Sequence, residues 1–302
     1  MRRNLMVWMY ATRPKTLCIG VAPIVFGSLL ALKRQQFDLI TFLLCLLGAL
    51  SIQIGTNYCN DYYDFLYKAD TLSRKGNQKV LSQGLVSPQA MKLAFIFAFL
   101  LAGFITAFLI KRGGIVIIPI ACMCIFFSIA YTAPPYPLAY LGLGDIFVLI
   151  FYGPVATLTC YYLHTRSFQW ENLLIGFIPG ILGLGPLIMN NLRDLEEDKI
   201  VLKKTLIVRF GETFGKVYFL STVFASLLAT YLHTFLFDKN LYVLLTCIAY
   251  IPLCKQLPVL FSYKDKRELH HLFLASAKTV PLYILIYGLS ELIYYASTHF
   301  FI

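Results

Sequence analysis

Residues 39–64 read LITFLLCLLGALSIQIGTNYCNDYYD. No charge interrupts this stretch from Leu39 to Asn60, and then two carboxylates follow, Asp61 and Asp64. An apolar run of about 20 residues is what an α-helix needs to cross the hydrocarbon of a bilayer. The acids at its end are a different matter, since a carboxylate sunk into a span costs roughly 2.5–3.5 kcal/mol on insertion scales. The segment therefore reads as a transmembrane helix with a polar site at one mouth.

Working outward, the apolar half of this pattern recurs along the chain. The 302 residues are 59% hydrophobic and only 14% charged, with a mean hydropathy of +0.71. Soluble domains run nearer a quarter charged. Nine candidate spans stand out: Leu17–Leu32, Leu39–Tyr58, Met91–Ile110, Ile115–Tyr131, Ile146–Leu163, Leu173–Met189, Val217–Phe237, Leu241–Leu260 and Leu272–Ser297. Ser87-Pro88 reads as a cap and first-turn proline opening the third. The expectation is an all-α polytopic membrane protein of about nine transmembrane helices, in one domain covering 1–302. Arg2 and Arg3 precede the first apolar stretch as in a signal peptide, but no cleavage site separates it from the second, so a retained first span is expected.

The net charge of +11 would suit a nucleic-acid partner in a soluble chain. Here the basic residues sit between apolar runs, where they set topology and meet anionic headgroups, so lipid and not nucleic acid is expected. With the N-terminus placed in the cytoplasm, 19 of the 26 Lys and Arg fall in inside segments and six in outside loops, which orients the chain N-in and C-out. The eight Cys are scattered, and nothing near the Cys122 and Cys124 pair completes a zinc site.

Of the 15 acidic residues, seven fall in two short segments. The first holds Asn60, Asp61, Asp64 and Asp70; the second runs Asn190-Asn191-Leu192-Arg193-Asp194-Leu195-Glu196-Glu197-Asp198. Each follows an even-numbered span on the inside face, and four spans separate them, a weak parallel repeat that would set the two loops across one cavity. Asn60 and Asp64 are four apart and so share a helix face, as do Asp194 and Asp198. Carboxylates at that spacing repel. A hard divalent cation reverses the sign: Mg²⁺ prefers oxygen ligands, takes one or two carboxylates, and fills the remaining sites with water and substrate phosphate. Two such clusters facing each other suggest two metal ions with a diphosphate between them.

These motifs resemble those of the UbiA superfamily of membrane prenyltransferases, and within it the 1,4-dihydroxy-2-naphthoate polyprenyltransferases of menaquinone synthesis (MenA type). The first motif has the longer last spacing of that branch, Asn60, Asp61, Asp64, Asp70; the second is Asn190, Asn191, Arg193, Asp194, Asp198, then Lys203, Thr205 and Leu206. Further matches are residues 11–17 (ATRPKTL), 83–88 (QGLVSP), Tyr131-Thr132 with 135–138 (PYPL), and 142–145 (GLGD). The chain departs at Leu202, where a Gly is usual, and at Ala133-Pro134, where Gly-Gly is common.

The resemblance implies a helix bundle around a central cavity open laterally to lipid. It implies Asn60, Asp64, Asp70, Asp194 and Asp198 as metal or diphosphate-binding residues, with Asp61 beside them, and Mg²⁺ as cofactor. Loss of diphosphate leaves an allylic cation and a polyanion, so Mg²⁺ would stabilise the leaving oxygens as a Lewis acid. Lys79, Arg74, Arg193 and Lys203, then Arg13 and Lys15, are the candidate cations that add fixed positive charge. Rings near the motifs, Tyr58, Tyr62, Tyr63 and Tyr131, could face the allylic cation. The implied partners are a polyprenyl diphosphate, an aromatic acceptor (dihydroxynaphthoate in this branch, which loses its carboxylate to give a demethylmenaquinone-type product) and the bilayer of the cell's inner (plasma) membrane. The same chemistry on 4-hydroxybenzoate or homogentisate is the alternative, and an ion or solute transporter the remote one. Gly176 and Gly180 read as close helix packing. The five His have no metal-binding spacing, and Lys278 within the last span is open between function and snorkelling.

Overall fold

The Ser87 side chain accepts a hydrogen bond from Ala90 N at 3.2 Å, and Pro88 fills the first turn, where its missing N–H leaves nothing unpaired. Asp38 and Thr205 cap two other helices in the same way. The computed structural model describes residues 2–69 and 79–299. Among these described residues all regular structure is helical.

A short helix, α1 (Arg2–Ala11), leads into the bundle. Eight helices among the described residues are long and apolar enough to cross a membrane: α2 (Pro14–Lys33), α3 (Leu39–Leu66), α4 (Pro88–Gly113), α6 (Gly144–Thr165), α7 (Glu171–Arg193), α9 (Leu206–Asp238), α10 (Leu241–Ser262) and α11 (Lys266–Thr298). The apolar α5 (Ile117–Ala130) has 14 residues, about 21 Å of helix, short of the roughly 30 Å hydrocarbon core. The turn at Gly114, with φ 75°, takes up its start. A one-turn helix, α8 (Leu195–Ile200), follows α7. Each expected span has its helix, though two differ in extent. α3 continues past Tyr58 to Leu66, carrying the first acidic motif on a helix, and α9 starts at Leu206 rather than Val217. Charged Arg209, Glu212 and Lys216 mask that start in a hydropathy reading, while the Thr205 cap fixes it.

α3 lies along α4, α7 packs against α9 and α11, and α2 touches α3, α6 and α11, tying the two groups together. A Cβ on Gly180 would stand 2.2 Å from Leu149 O, so only glycine lets α7 meet α6 there. On the outside, α4 presents Leu93, Phe97 and Leu100, each 67% exposed, and Phe104. These recur at helical spacing as one stripe, a surface suited to lipid. Between α2, α3, α5, α6 and α7 lies a cavity of about 760 Å³.

Candidate active site

α3 stays helical through Asn60, Asp61 and Asp64, so Asn60 and Asp64 share a face as the spacing predicts. The second motif differs from expectation. α7 ends at Arg193, Asp194 is its terminal cap (φ −90°, ψ 12°), and Asp198 sits in α8. The two acids therefore straddle a helix break, yet Asp198 N donates to Asp194 O at 2.8 Å and keeps one turn between them.

Each of these four acids lies beside a cation, and Lys79 also stands 3.8 Å from Asp61. Arg13 Nη2 bonds Asp61 Oδ1 and donates to Asn60 Oδ1 at 2.8 Å. Lys79 Nζ reaches Asp64 Oδ2 at 2.5 Å and Asn60 Oδ1 at 3.1 Å. Arg193 grips Asp194 through Nε at 2.6 Å and Nη2 at 3.0 Å, and donates to Asn190 Oδ1 at 2.7 Å. Lys203 Nζ lies 3.6 Å from Asp198 Oδ1. The four carboxylates are only 2–4% exposed. Buried charge of this kind persists only when paired and hydrogen-bonded.

Tyr140 and Lys203 join the two halves. Tyr140 Oη donates to Asp64 Oδ1 at 2.7 Å, and Lys203 Nζ stands 5.7 Å from the centre of the Tyr140 ring. Tyr140 is absent from the sequence-based candidates. Its placement comes from a clasp: Lys204 N donates to Tyr140 O at 2.8 Å, and Arg209 Nη2 to Leu141 O at 2.7 Å. Gly142 closes it, with φ 76° and room for a Cβ only 2.2 Å from Lys204 O. The Gly142-Leu143-Gly144-Asp145 match thus holds the Tyr140 loop on the second acidic segment, and that motif was the available signal.

The cavity wall carries Asn60, Asp61, Asp64 and Lys79 on one side and Asn190, Arg193, Asp194 and Lys203 on the other, with Arg13, Lys15 and Tyr131 also facing it. Asp198 is off the wall and reaches the site through Lys203. Asp70 and Arg74 lie outside the described residues. Of the four tyrosines near the motifs, Tyr131 alone lines the cavity. Tyr58 packs edge-on against Trp8 at 5.4 Å, and Tyr62 and Tyr63 pack on Phe95. The aromatic wall is instead Phe127, Phe147 and Phe151, with ring centres 4.6–5.7 Å apart, next to Tyr152. Asp145, 4% exposed, also faces the cavity; the sequence marks it only as the end of the 142–145 match, not as a site residue.

Every candidate ligand atom here is a carboxylate or amide oxygen, the hard donor set that suits Mg²⁺. Among the described residues no three His, Cys, Asp or Glu are grouped to hold an ion by themselves. Mg²⁺ does not require that, because it takes few carboxylates and completes its shell with water and phosphate.

The UbiA prenyltransferase family pattern matches residues 20–277. The 1,4-dihydroxy-2-naphthoate octaprenyltransferase of Escherichia coli (strain K12) is 33% identical over 234 residues, 73% of each chain. Its counterpart of the same name in Bacillus subtilis (strain 168) is 34% identical over 218 residues, covering 71% of this chain and 68% of that one. Among solved structures, a UbiA homolog from Aeropyrum pernix K1 superposes with a TM-score of 0.65 at 12% identity, over 92% of this chain and 98% of that one. A UbiA homolog from Archaeoglobus fulgidus bound to GPP and Mg²⁺ gives 0.62 at 17% identity, over 93% and 99%. At such identities the structural likeness shows the fold, while the sequence relatives fix the branch. The chain is a multi-pass membrane prenyltransferase that belongs to the UbiA family, grouped with the relatives named for 1,4-dihydroxy-2-naphthoate.

Proposed function

We propose that this prenyltransferase moves a polyprenyl group from its diphosphate to 1,4-dihydroxy-2-naphthoate, with Mg²⁺, giving a demethylmenaquinone-type product. The observation that carries the reading is the pairing of Asp61, Asp64, Asp194 and Asp198 with Arg13, Lys79, Arg193 and Lys203 at one end of an otherwise largely apolar cavity. Apolar wall suits the isoprenoid, and the polar end suits its diphosphate. Asn60, Asp64, Asp194 and Asp198, with Asp70, are the proposed metal-holding residues, and Asp61 supports them. Mg²⁺ bound there would supply Lewis-acid stabilisation of the leaving diphosphate oxygens. With Mg²⁺ held by these carboxylates, Lys79 and Lys203 would be available to the phosphate oxygens, and Arg13, Lys15, Arg74 and Arg193 would add fixed positive charge. Tyr131 stands at the cavity wall with its hydroxyl as a candidate substrate contact. We place the site on the cytoplasmic face of the plasma membrane, N-terminus inside and C-terminus outside, in a single domain over 1–302. The bias of Lys and Arg to the motif side supports that orientation.

The test uses membranes containing the protein, Mg²⁺, a polyprenyl diphosphate and dihydroxynaphthoate, with 4-hydroxybenzoate and homogentisate in parallel. A prenylated naphthoquinone is the expected product, and Asp64→Ala is expected to abolish it. Transfer surviving that substitution would remove the metal assignment, and preference for another acceptor would remove the naphthoate.

A further inference from the structure

Two turns before Asn60 on α3, about 10 Å deeper along the helix axis, a second polar element faces the same cavity. Tyr152 Oη donates a hydrogen bond to Gln53 Oε1. The same wall is largely apolar, with Pro23, Ala49, Ile52, Phe127 and Phe151, and its nearby polar groups Thr56, Ser128 and Cys124 are uncharged. With Oε1 taken, Gln53 has its Nε2 hydrogens left to donate, and among the described residues nothing accepts them. The amide is held from behind as well. It lies against Gly20 of α2, where a Cβ would stand 3.1 Å from Oε1 and 3.2 Å from the Gln53 Cβ.

Tyr152 is positioned by an irregular backbone. Residues Phe151–Val155 form a π-helical turn inside α6, with Gly153 at φ −96°, ψ −117°. Such turns are rare and frequent at functional sites. An unmatched amide donor in an apolar chamber at membrane depth is costly. Neither diphosphate nor isoprenoid offers it a match: the diphosphate belongs to the charged mouth, and the isoprenoid is hydrocarbon. The aromatic acceptor is the one reactant that carries oxygen beyond the reacting carbon.

We infer that Gln53 is a specificity-determining residue that donates its Nε2–H to a ring oxygen of the aromatic acceptor, with Tyr152 as the positioning residue that orients the amide, an assignment that rests on the prenyl-transfer function proposed above. Phe127 and Phe151, packed on each other, supply the aromatic wall against which the acceptor ring lies.

The experiment measures KM for both substrates with wild type, Gln53→Leu and Tyr152→Phe, in membranes with Mg²⁺. It adds Ki values for 1-hydroxy-2-naphthoate and 4-hydroxy-2-naphthoate, each lacking one ring hydroxyl. Gln53→Leu is expected to raise the acceptor KM at least tenfold and to leave the polyprenyl diphosphate KM within twofold. A site built to bond a hydroxyl rejects the analogue that lacks it, so wild type should penalise one of the two analogues. That penalty should vanish in Gln53→Leu and shrink in Tyr152→Phe. Acceptor KM and analogue ratios unchanged in both variants would overturn the inference, as would equal rises in both KM values, which mean a structural role. Should Gln53→Leu prove unfolded in a thermal melt, Tyr152→Phe decides by the same criteria. Wild type that fails to prenylate any aromatic acceptor sinks the proposed function itself, a result distinct from active variants with unaltered kinetics.

Discussion

Tyr140 supplies Asp64 with a hydrogen bond at 2.7 Å and offers its ring to Lys203, so one side chain touches both acidic segments. A hydrogen bond to a charged group is worth about 1.5–3 kcal/mol. Tyr140→Phe keeps the ring and removes the donor. It should therefore lower kcat/KM for the polyprenyl diphosphate by roughly 10–100-fold while leaving the acceptor KM unmoved. Steady-state kinetics with each substrate varied in turn check this, and an unchanged kcat/KM would show that the bond has no part in the site. The contrast with the acids is instructive. Asp61, Asp64, Asp194 and Asp198 stand out in the sequence because carboxylates are scarce and clustered. Tyr140, Gln53 and Tyr152 do not, because tyrosine is common among the 20 in this chain and a lone Gln in a span is most simply read as helix glue. Their relevance comes from which wall they share, and that is a property of the fold.

Helix ends show the same division. The nine apolar segments are legible by hydropathy, since lipid demands a run of fixed length, but the turns joining them are set by backbone chemistry. α8 ends with Leu202 at φ 57°, where Leu202 N bonds Lys199 O at 3.2 Å and Lys203 N bonds Asp198 O at 2.9 Å. This paired pattern closes a helix with a left-handed residue, normally glycine. It turns Lys203 back toward Asp198, so the turn fixes a site residue. Leu202 is thus an L-residue held in the left-handed conformation that such a turn requires. An L-residue in that conformation costs roughly 1–2 kcal/mol, part of which glycine loses to its greater freedom when unfolded. Leu202→Gly should consequently stabilise the protein by up to about 1 kcal/mol, with no loss of transfer activity. A thermal unfolding midpoint in detergent that fails to rise would mean that the turn is not held as described.

At the scale of the whole molecule, the proposed function makes the site an exchange of charge partners, in which metal and diphosphate would take over from the protein's own ion pairs. Among the described residues four carboxylates are matched by four cations, with Lys79 also 3.8 Å from Asp61, so these eight charges balance before any ligand arrives. Two Mg²⁺ ions alone would add four positive charges beside those cations, and a diphosphate alone would add about three negative charges beside the carboxylates. Each addition by itself leaves the buried site strongly charged, which a low-dielectric setting penalises. Together they nearly cancel, so metal and diphosphate should bind with strong mutual coupling. Because the protein's own pairs hold the site without metal, a chelator should abolish transfer yet leave the thermal unfolding midpoint within about 2 °C of its untreated value. Mg²⁺ alone, or a non-transferable prenyl diphosphate analogue alone, should shift that midpoint little, and the two together should raise it by several degrees through preferential binding to the folded state. A large fall on chelation would mean that the carboxylates depend on bound metal to stay buried. Additive shifts from the separate ligands would mean that their charges are not compensated at one site.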